Sequence, residues 1–405
     1  MAEYADREHY IPLRKSDLVT LLCGDQELSA DDRESVRQFC TLASAVFHFE
    51  YQQWLEELKD DYAPFDPDSE TKPLAPLSPQ ERSTRLEKVF AAFVRLMERA
   101  NFKRLTPEQV REAVRAHAEA RGLQTDVDLK VFERLEVFVR GEAIGSERSR
   151  PWWKPWRLQE EQIPLFHRLV LIVKLRPHSR LPKDIRTDAV FLKIFKDIPK
   201  ATLGMYQPGA RVRLSRVDKA LIVYPLIAGL VLILFNIGKD VFSSGYGQLT
   251  TLLSWSVAGA FAGYGYKSYH SYVVKKQTYA LQMTRSLYYQ TLDSNTGVLM
   301  HVLDEAEEQE CRETFLGYYC LWKYAPPAGW TSGELDDYVE QYLESRADLK
   351  VDFEIGDALA KLERLGLVSK SGDRYRAVAI EKALEALDYK WDNYFKYNQN
   401  PPEPL

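Results

Sequence analysis

Ala220–Gly238 reads ALIVYPLIAGLVLILFNIG, Lys239–Gln248 reads KDVFSSGYGQ, and Leu249–Tyr266 reads LTTLLSWSVAGAFAGYGY. Between Lys219 and Lys239 stand 19 residues without a charge. At about 1.5 Å per residue, a helix of that length crosses a hydrocarbon layer roughly 30 Å thick. The second run is also uncharged, so the pair predicts a two-helix transmembrane hairpin at residues 218–267, with helices at 220–238 and 249–266. Arg211, Arg213, Arg216 and Lys219 precede it; Lys267, Lys275 and Lys276 follow it. By the positive-inside rule, both flanks share the cytoplasmic side and the connecting loop faces out. Gly259 and Gly263 make a GxxxG step, which predicts close packing of the hairpin's own two helices, the alternative being a homo-oligomer seam. Tyr266 and Tyr269, with Tyr264 and Tyr272, predict an aromatic belt at the membrane interface.

Outside this stretch the composition is that of a globular protein. The 405 residues are 45% hydrophobic and 28% charged, with a formal charge of -5, which argues against a general polyanion binder. Cys23, Cys40, Cys311 and Cys320 show no CxxC spacing and predict reduced, mostly buried thiols. The first ten residues, MAEYADREHY, have no apolar run for a signal peptide and are too acidic for a mitochondrial presequence. The first hairpin helix is therefore expected to act as the insertion signal.

Residues 1–125 predict a helical region. Val36, Phe39, Cys40, Ala43, Phe47, Tyr51, Trp54 and Leu58 recur at steps of three or four and share one helix face. Pro64 and Pro67 stop that helix. Ser78-Pro79-Gln80-Glu81 predicts a capping box opening a second helix, and Thr106-Pro107-Glu108-Gln109 repeats the signal. The period changes at residues 126–217, where Leu135, Val137 and Val139 alternate with polar partners. Phe166–Leu175, Val190–Phe195 and Arg211–Leu214 read as further strands, and Ile198–Tyr206 as a short helix. Together they predict a small, mostly antiparallel α+β domain. Trp152, Trp153 and Trp156, beside Lys154 and Arg157, are candidate interfacial anchors; the alternative is a loop folded over the sheet.

Residues 268–310 predict a helical return segment, interrupted by turn chemistry at Asp293–Gly297 and ending in an acidic run, DEAEEQE. If both flanks lie on one side, this run is the expected meeting point of the two halves. Residues 311–388 read as a winged helix. Thr331-Ser332-Gly333-Glu334 is a capping box, ALAKLERLGLV at Ala358–Val368 enters a wing, and Ser371-Gly372-Asp373 is its turn. Residues 389–405 form a Pro-containing tail.

YIPLRKSDLV at Tyr10–Val19, FHFEYQ at Phe47–Gln52, YAPFDPD at Tyr62–Asp68, FLKIFKDIPK at Phe191–Lys200 and LYYQTLDSNTGVL at Leu287–Leu299 are the motifs of longest range. With them the chain resembles the transmembrane protein 143 family, which carries the domain of unknown function 3754. The resemblance implies the two-pass topology, a mitochondrial membrane in animal relatives, and a bacterial plasma membrane for a chain without a presequence. It implies no activity and no catalytic residues.

His301, Glu305 and Glu308 fall on one helical face and are the candidate metal ligands, with His48 and Glu50 as possible completing ligands. The alternative is a solvated or salt-bridged acid row, since no HExxH or paired ExxH spacing is present. Walker A, strand–GxGxxG–helix and GxSxG patterns are absent as well. His167 lies in an apolar strand run and reads as a packed residue. Asp352, Glu354, Asp357 and Glu363 outnumber Lys361 and Arg364 on the third winged-helix segment, which argues against nucleic acid.

The expected fold is thus an α+β membrane protein: helical N-terminal region, small antiparallel sheet, transmembrane hairpin and C-terminal winged-helix-like domain. The expected function is a non-enzymatic, membrane-anchored interaction or regulatory module with both termini cytoplasmic. Its expected partners are the bilayer and a protein partner or second copy; no cofactor or catalytic residue is assigned, and the sequence names no small-molecule substrate. The alternatives are a metal-dependent enzyme using residues 301–308 and a membrane-tethered nucleic-acid binder.

Overall fold

A computed structural model describes residues 9–112, 123–126, 128–149, 159–179, 181, 184–200, 203, 211–214, eight positions between 223 and 235, and 247–395. Helix α1 spans Lys15–Cys23 and α2 spans Ala30–Tyr62. Ser29 opens α2 with a capping box, its hydroxyl accepting from the Asp32 N–H while the Asp32 carboxylate accepts from the Ser29 N–H. Val36, Phe39, Ala43, Phe47, Tyr51, Leu58 and Tyr62 form its buried face. Ser78 and Glu81 cap α3, Pro79–Arg99, in the same way, with Pro79 at the first helical position.

Strands β1 (Lys103–Arg104), β2 (Leu123–Asp126), β3 (Phe132–Ser149), β4 (Gln159–Leu175), β5 (Val190–Pro199) and β6 (Arg211–Leu214) follow. With β7 (Thr291–Ser294) they build a five-stranded antiparallel sheet in the order β1-β3-β4-β5-β7, beside a β2–β6 pair. Alternation gives each face its own core. Phe138, Val170, Ile172, Leu192 and Ile194 pack toward α2 and α3, while Val139, Leu169, Leu171 and Val173 pack on the opposite side. Two local readings change. The expected helix at Ile198–Tyr206 begins instead as the end of β5, which continues to Pro199 past a left-handed Asp197 at φ 52°. His167 is not packed: it is more than half exposed and its Nδ1 lies 3.2 Å from Asp197.

The transmembrane hairpin is overturned. No helix among the described residues is long and apolar enough to cross a membrane. Uncharged is not apolar: Leu249–Tyr266 carries Thr250, Thr251, Ser254, Ser256 and three glycines, each lowering its hydropathy. These residues form one end of a single 44-residue helix, α4 (Gly247–Gln290), whose other half bears Lys267, Lys276 and Arg285. Most of Ala220–Gly238 lies outside the described residues. The α+β class stands as a mixed helix-and-sheet architecture. The two-pass topology and the multi-pass plasma-membrane location with cytoplasmic termini fall with the hairpin.

Chain and sheet meet again at α5, Thr296–Lys323. Strand β8 (Trp330–Thr331), α6 (Ser332–Ala347), α7 (Ile355–Arg364), β9 (Val368–Ser371), β10 (Arg374–Ala377) and α8 (Ile380–Asp392) complete the fold. The small sheet has the order β8-β10-β9, all antiparallel, with Gly372 at φ 66° in the wing turn. A helix, a strand, two helices and a two-stranded wing in this order make a winged helix. Its core is not its own: Phe315, Leu335, Leu343, Leu359 and Leu387 share one apolar cluster with Leu18, Leu22, Phe39 and Phe47 of α1 and α2.

Candidate functional site

Helix α5 carries the acidic run, and most of that run is buried. Glu307, Gln309, Glu310, Arg312, Glu313 and Thr314 are each less than a tenth exposed. Buried charge is stable only when paired, and here Glu305, Glu307, Glu310 and Glu313 find partners on other elements, while Glu308 pairs within α5. Glu305 meets Arg140 of β3 at 2.9 Å and Arg168 of β4 at 3.7 Å. Glu307 takes His48 of α2 at 3.1 Å, and Glu308 takes Arg312 one turn on. Glu310 meets Arg99 of α3 at 3.5 Å, and Glu313 meets Lys361 of α7 at 2.6 Å. Gln309 accepts from the Ile11 N–H and donates to Glu313. The Arg140 guanidinium also lies over the rings of Tyr10 and Phe102, at 4.0 and 4.4 Å, where cation–π attraction adds to the pairing.

The electrostatics follow from this pairing. Burial would raise Glu305, but the His301 hydrogen bond and the Arg140 charge outweigh it and bring its pKa down to about 2. The Glu305 hydrogen bond in turn raises His301. Burial would lower Lys361, yet Glu313 and Glu310 hold it above its ordinary value.

At the N-terminal end of α5 a second polar cluster fixes the helix to the sheet. Asn295 sits at φ 53°, ψ -124°, an unfavourable conformation for a residue with a Cβ. Its N–H donates to the Leu192 carbonyl, its side-chain oxygen accepts from the Leu192 N–H and the Tyr62 hydroxyl, and its amide donates to Asp68. Thr296 donates to Asp66 at 2.7 Å. The YAPFDPD and SNTG motifs therefore meet in one corner, where hydrogen bonds hold the strained backbone.

The sequence-derived candidates scatter. His301 and Glu305 are 3.6 Å apart, but Glu305 is committed to arginines, His301 also contacts Asp293 at 3.0 Å, and Glu308 turns to Arg312. His48 is spent on Glu307, and Glu50 on Arg364 and Lys390. Among the described residues no group of three or more His, Cys, Asp or Glu is arranged to hold a metal ion. A Cβ added at Gly259 or Gly263 would meet no atom within 4 Å, so no described neighbour packs on the GxxxG step. Tyr266 and Tyr269 are exposed on α4. Trp152, Trp153 and Trp156 lie outside the described residues. Cys40, Cys311 and Cys320 are buried free thiols, and burial pushes Cys311 up to about 12.

One acidic region sequence reasoning treated only as an argument against nucleic acid. The open side of the winged helix, between α6 and α7, holds a cleft of about 580 Å³. Asp336, Asp352, Glu354, Asp357 and Glu363 line it. Lys361 and Arg364, the two cations of α7, turn away to Glu313 and Glu50.

Fold and site together define a mixed helix-and-sheet protein in which C-terminal elements in a winged-helix-like order are mounted on an antiparallel sheet through a buried row of ion pairs. Residues 166–297 match the family described as "Protein of unknown function (DUF3754)". The matched region runs from β4 through β7 to the first residues of α5. No solved structure matches the chain.

Proposed function

We propose that the chain is a non-enzymatic interaction or regulatory module that holds its winged helix in a set position and presents it to a protein partner. The observation that supports this reading most is the state of the acidic row. Glu305, Glu307, Glu308, Glu310 and Glu313 are each engaged by a basic group of the chain itself. Groups so engaged hold elements together and are poorly disposed to take a substrate proton or a metal. We further propose kinship with the transmembrane protein 143 family on the five motifs quoted above, a kinship that brings no activity with it. The winged-helix topology also fits nucleic acid, but the acidic open face of α7 weighs against phosphate.

The test is affinity purification of the tagged full-length chain followed by mass spectrometry. A reproducible protein partner is the expected result. Stoichiometric metal in the purified chain, lost in both Glu305→Ala and Glu308→Ala, would overturn the reading in favour of a metalloenzyme.

A further inference from the structure

The cleft between α6 and α7 gathers acids around a buried carboxylate, one oxygen of which has no hydrogen-bond partner. Asp336 lines the cleft, is only 7% exposed, and its Oδ1 has no hydrogen-bond partner. Its neighbours worsen its position. Glu340, one turn on, is also buried, and its Oε1 accepts from the Phe353 N–H at 3.1 Å. Asp352 stands across from it, and Glu354, Asp357 and Glu363 complete the rim. Among the described residues lining the cleft His9 is the one basic residue; it lies 3.6 Å from Asp352 and 3.7 Å from Glu354 and is itself half exposed. Burial, then Glu340 and Asp352, push Asp336 up to about 6. A buried carboxylate oxygen without a hydrogen bond is a cost that folding alone gives no reason to keep.

The cleft's shape and lining indicate what would relieve that cost. Its volume of about 580 Å³ exceeds what a bare ion needs, and its carboxylates do not converge as metal ligands among the described residues. Leu359, Ala360 and Tyr375 add an apolar wall. An aliphatic stem with a cationic head fits both features, the stem along the apolar wall and the head against the acids.

We propose that this cleft binds a lysine or arginine side chain presented by a basic segment of a protein partner, with Asp336 as the innermost acceptor. The proposal rests on the interaction reading above and names the chemistry of the partner.

Fluorescence anisotropy of a labelled lysine/alanine peptide with the full-length chain tests it. Binding is expected, weakening as salt rises, with no binding of the matching glutamate/alanine peptide. Asp336→Asn is expected to weaken binding by about tenfold or more while leaving the melting temperature equal or higher. Asp357→Asn with Glu363→Gln, both on exposed rim positions, is expected to weaken it by a few fold without unfolding the protein. Arg376→Ala on the wing is expected to leave affinity within twofold of the wild type or raise it slightly. Unchanged peptide affinity in Asp336→Asn overturns the proposal, as does tighter binding of a DNA duplex than of the peptide. If a purified partner binds the chain indifferently to Asp336→Asn, the cleft assignment falls and the interaction reading stands. If the peptide binds in an Asp336-dependent way but no protein partner is recovered, the reverse holds.

Discussion

Two acid-rich regions of this chain look alike in composition and are opposite in physics. On α5, five carboxylates, all but Glu308 largely buried, are each met by a basic group from β3, β4, α2, α3, α7 or α5 itself. At the winged-helix cleft, five carboxylates face one histidine among the described residues, and Oδ1 of the most buried of them has no hydrogen-bond partner. The first arrangement converts charge into attachment between elements. The second stores repulsion at an open surface. Acidity in a sequence therefore says little until the partners are known, because the same side chain lowers or raises the free energy of the fold depending on what it faces.

The comparison can be broken most sharply at Lys361. Lys361→Met leaves Glu313 and Glu310 buried without their shared cation, and should cost about 3–5 kcal/mol in urea-unfolding stability. A change below about 1 kcal/mol would mean that the row is not an attachment device.

Acid titration separates the two regions by sign. Glu305 has a folded pKa of about 2, below the ordinary carboxylate value, so its contribution is complete above roughly pH 4.5. It is lost as the pH falls from there toward 2, and about 2–3 kcal/mol should disappear over that window. Glu305→Gln should flatten that part of the stability profile. Asp336 behaves in the opposite way: its folded pKa is raised to about 6, so the fold gains stability as the pH falls from about 6 toward the ordinary aspartate value. Asp336→Asn should therefore stabilise the protein by about 1–2 kcal/mol at neutral pH and remove the gain on acidification. Destabilisation by that substitution at neutral pH would show that Asp336 has a partner after all.

The smallest expected effect is at the periphery. Arg364 bonds Glu50 at 2.7 Å, but the arginine is nearly half exposed and Glu50 keeps Lys390. Arg364→Ala should shift stability by no more than about 1 kcal/mol, read by the same urea titration.

What was legible in the sequence was local. The capping boxes at Ser78 and Thr331 and the wing turn at Gly372 depend on residues within four positions of one another, and they stand where their chemistry places them. The partners of the acidic row were not legible, because pairing Glu307 with His48 needs two residues 259 positions apart to meet. Strand β7 was hidden for a related reason. Three of its four residues are polar, Asp293 and Ser294 read as turn chemistry, and only the β5 edge makes them a strand. The hairpin differs: absence of charge is not presence of hydrophobicity, and the hydroxyls and glycines of residues 249–266 separate the two. Asp336 stood in view among other acids, but its isolation depends on which neighbours fold over it.

The shared core of α1, α2 and the winged helix has a consequence for synthesis. Leu18 and Phe39 share their apolar cluster with residues 311–387, so α1 and the first half of α2 cannot complete their core until those residues have been made. Closing so long a loop is slow, and exposed apolar faces invite misassociation meanwhile. A nascent chain halted before α5 should therefore be protease-sensitive in α1 and the first half of α2, and a winged helix expressed from residue 311 onward should lack about a third of its buried core.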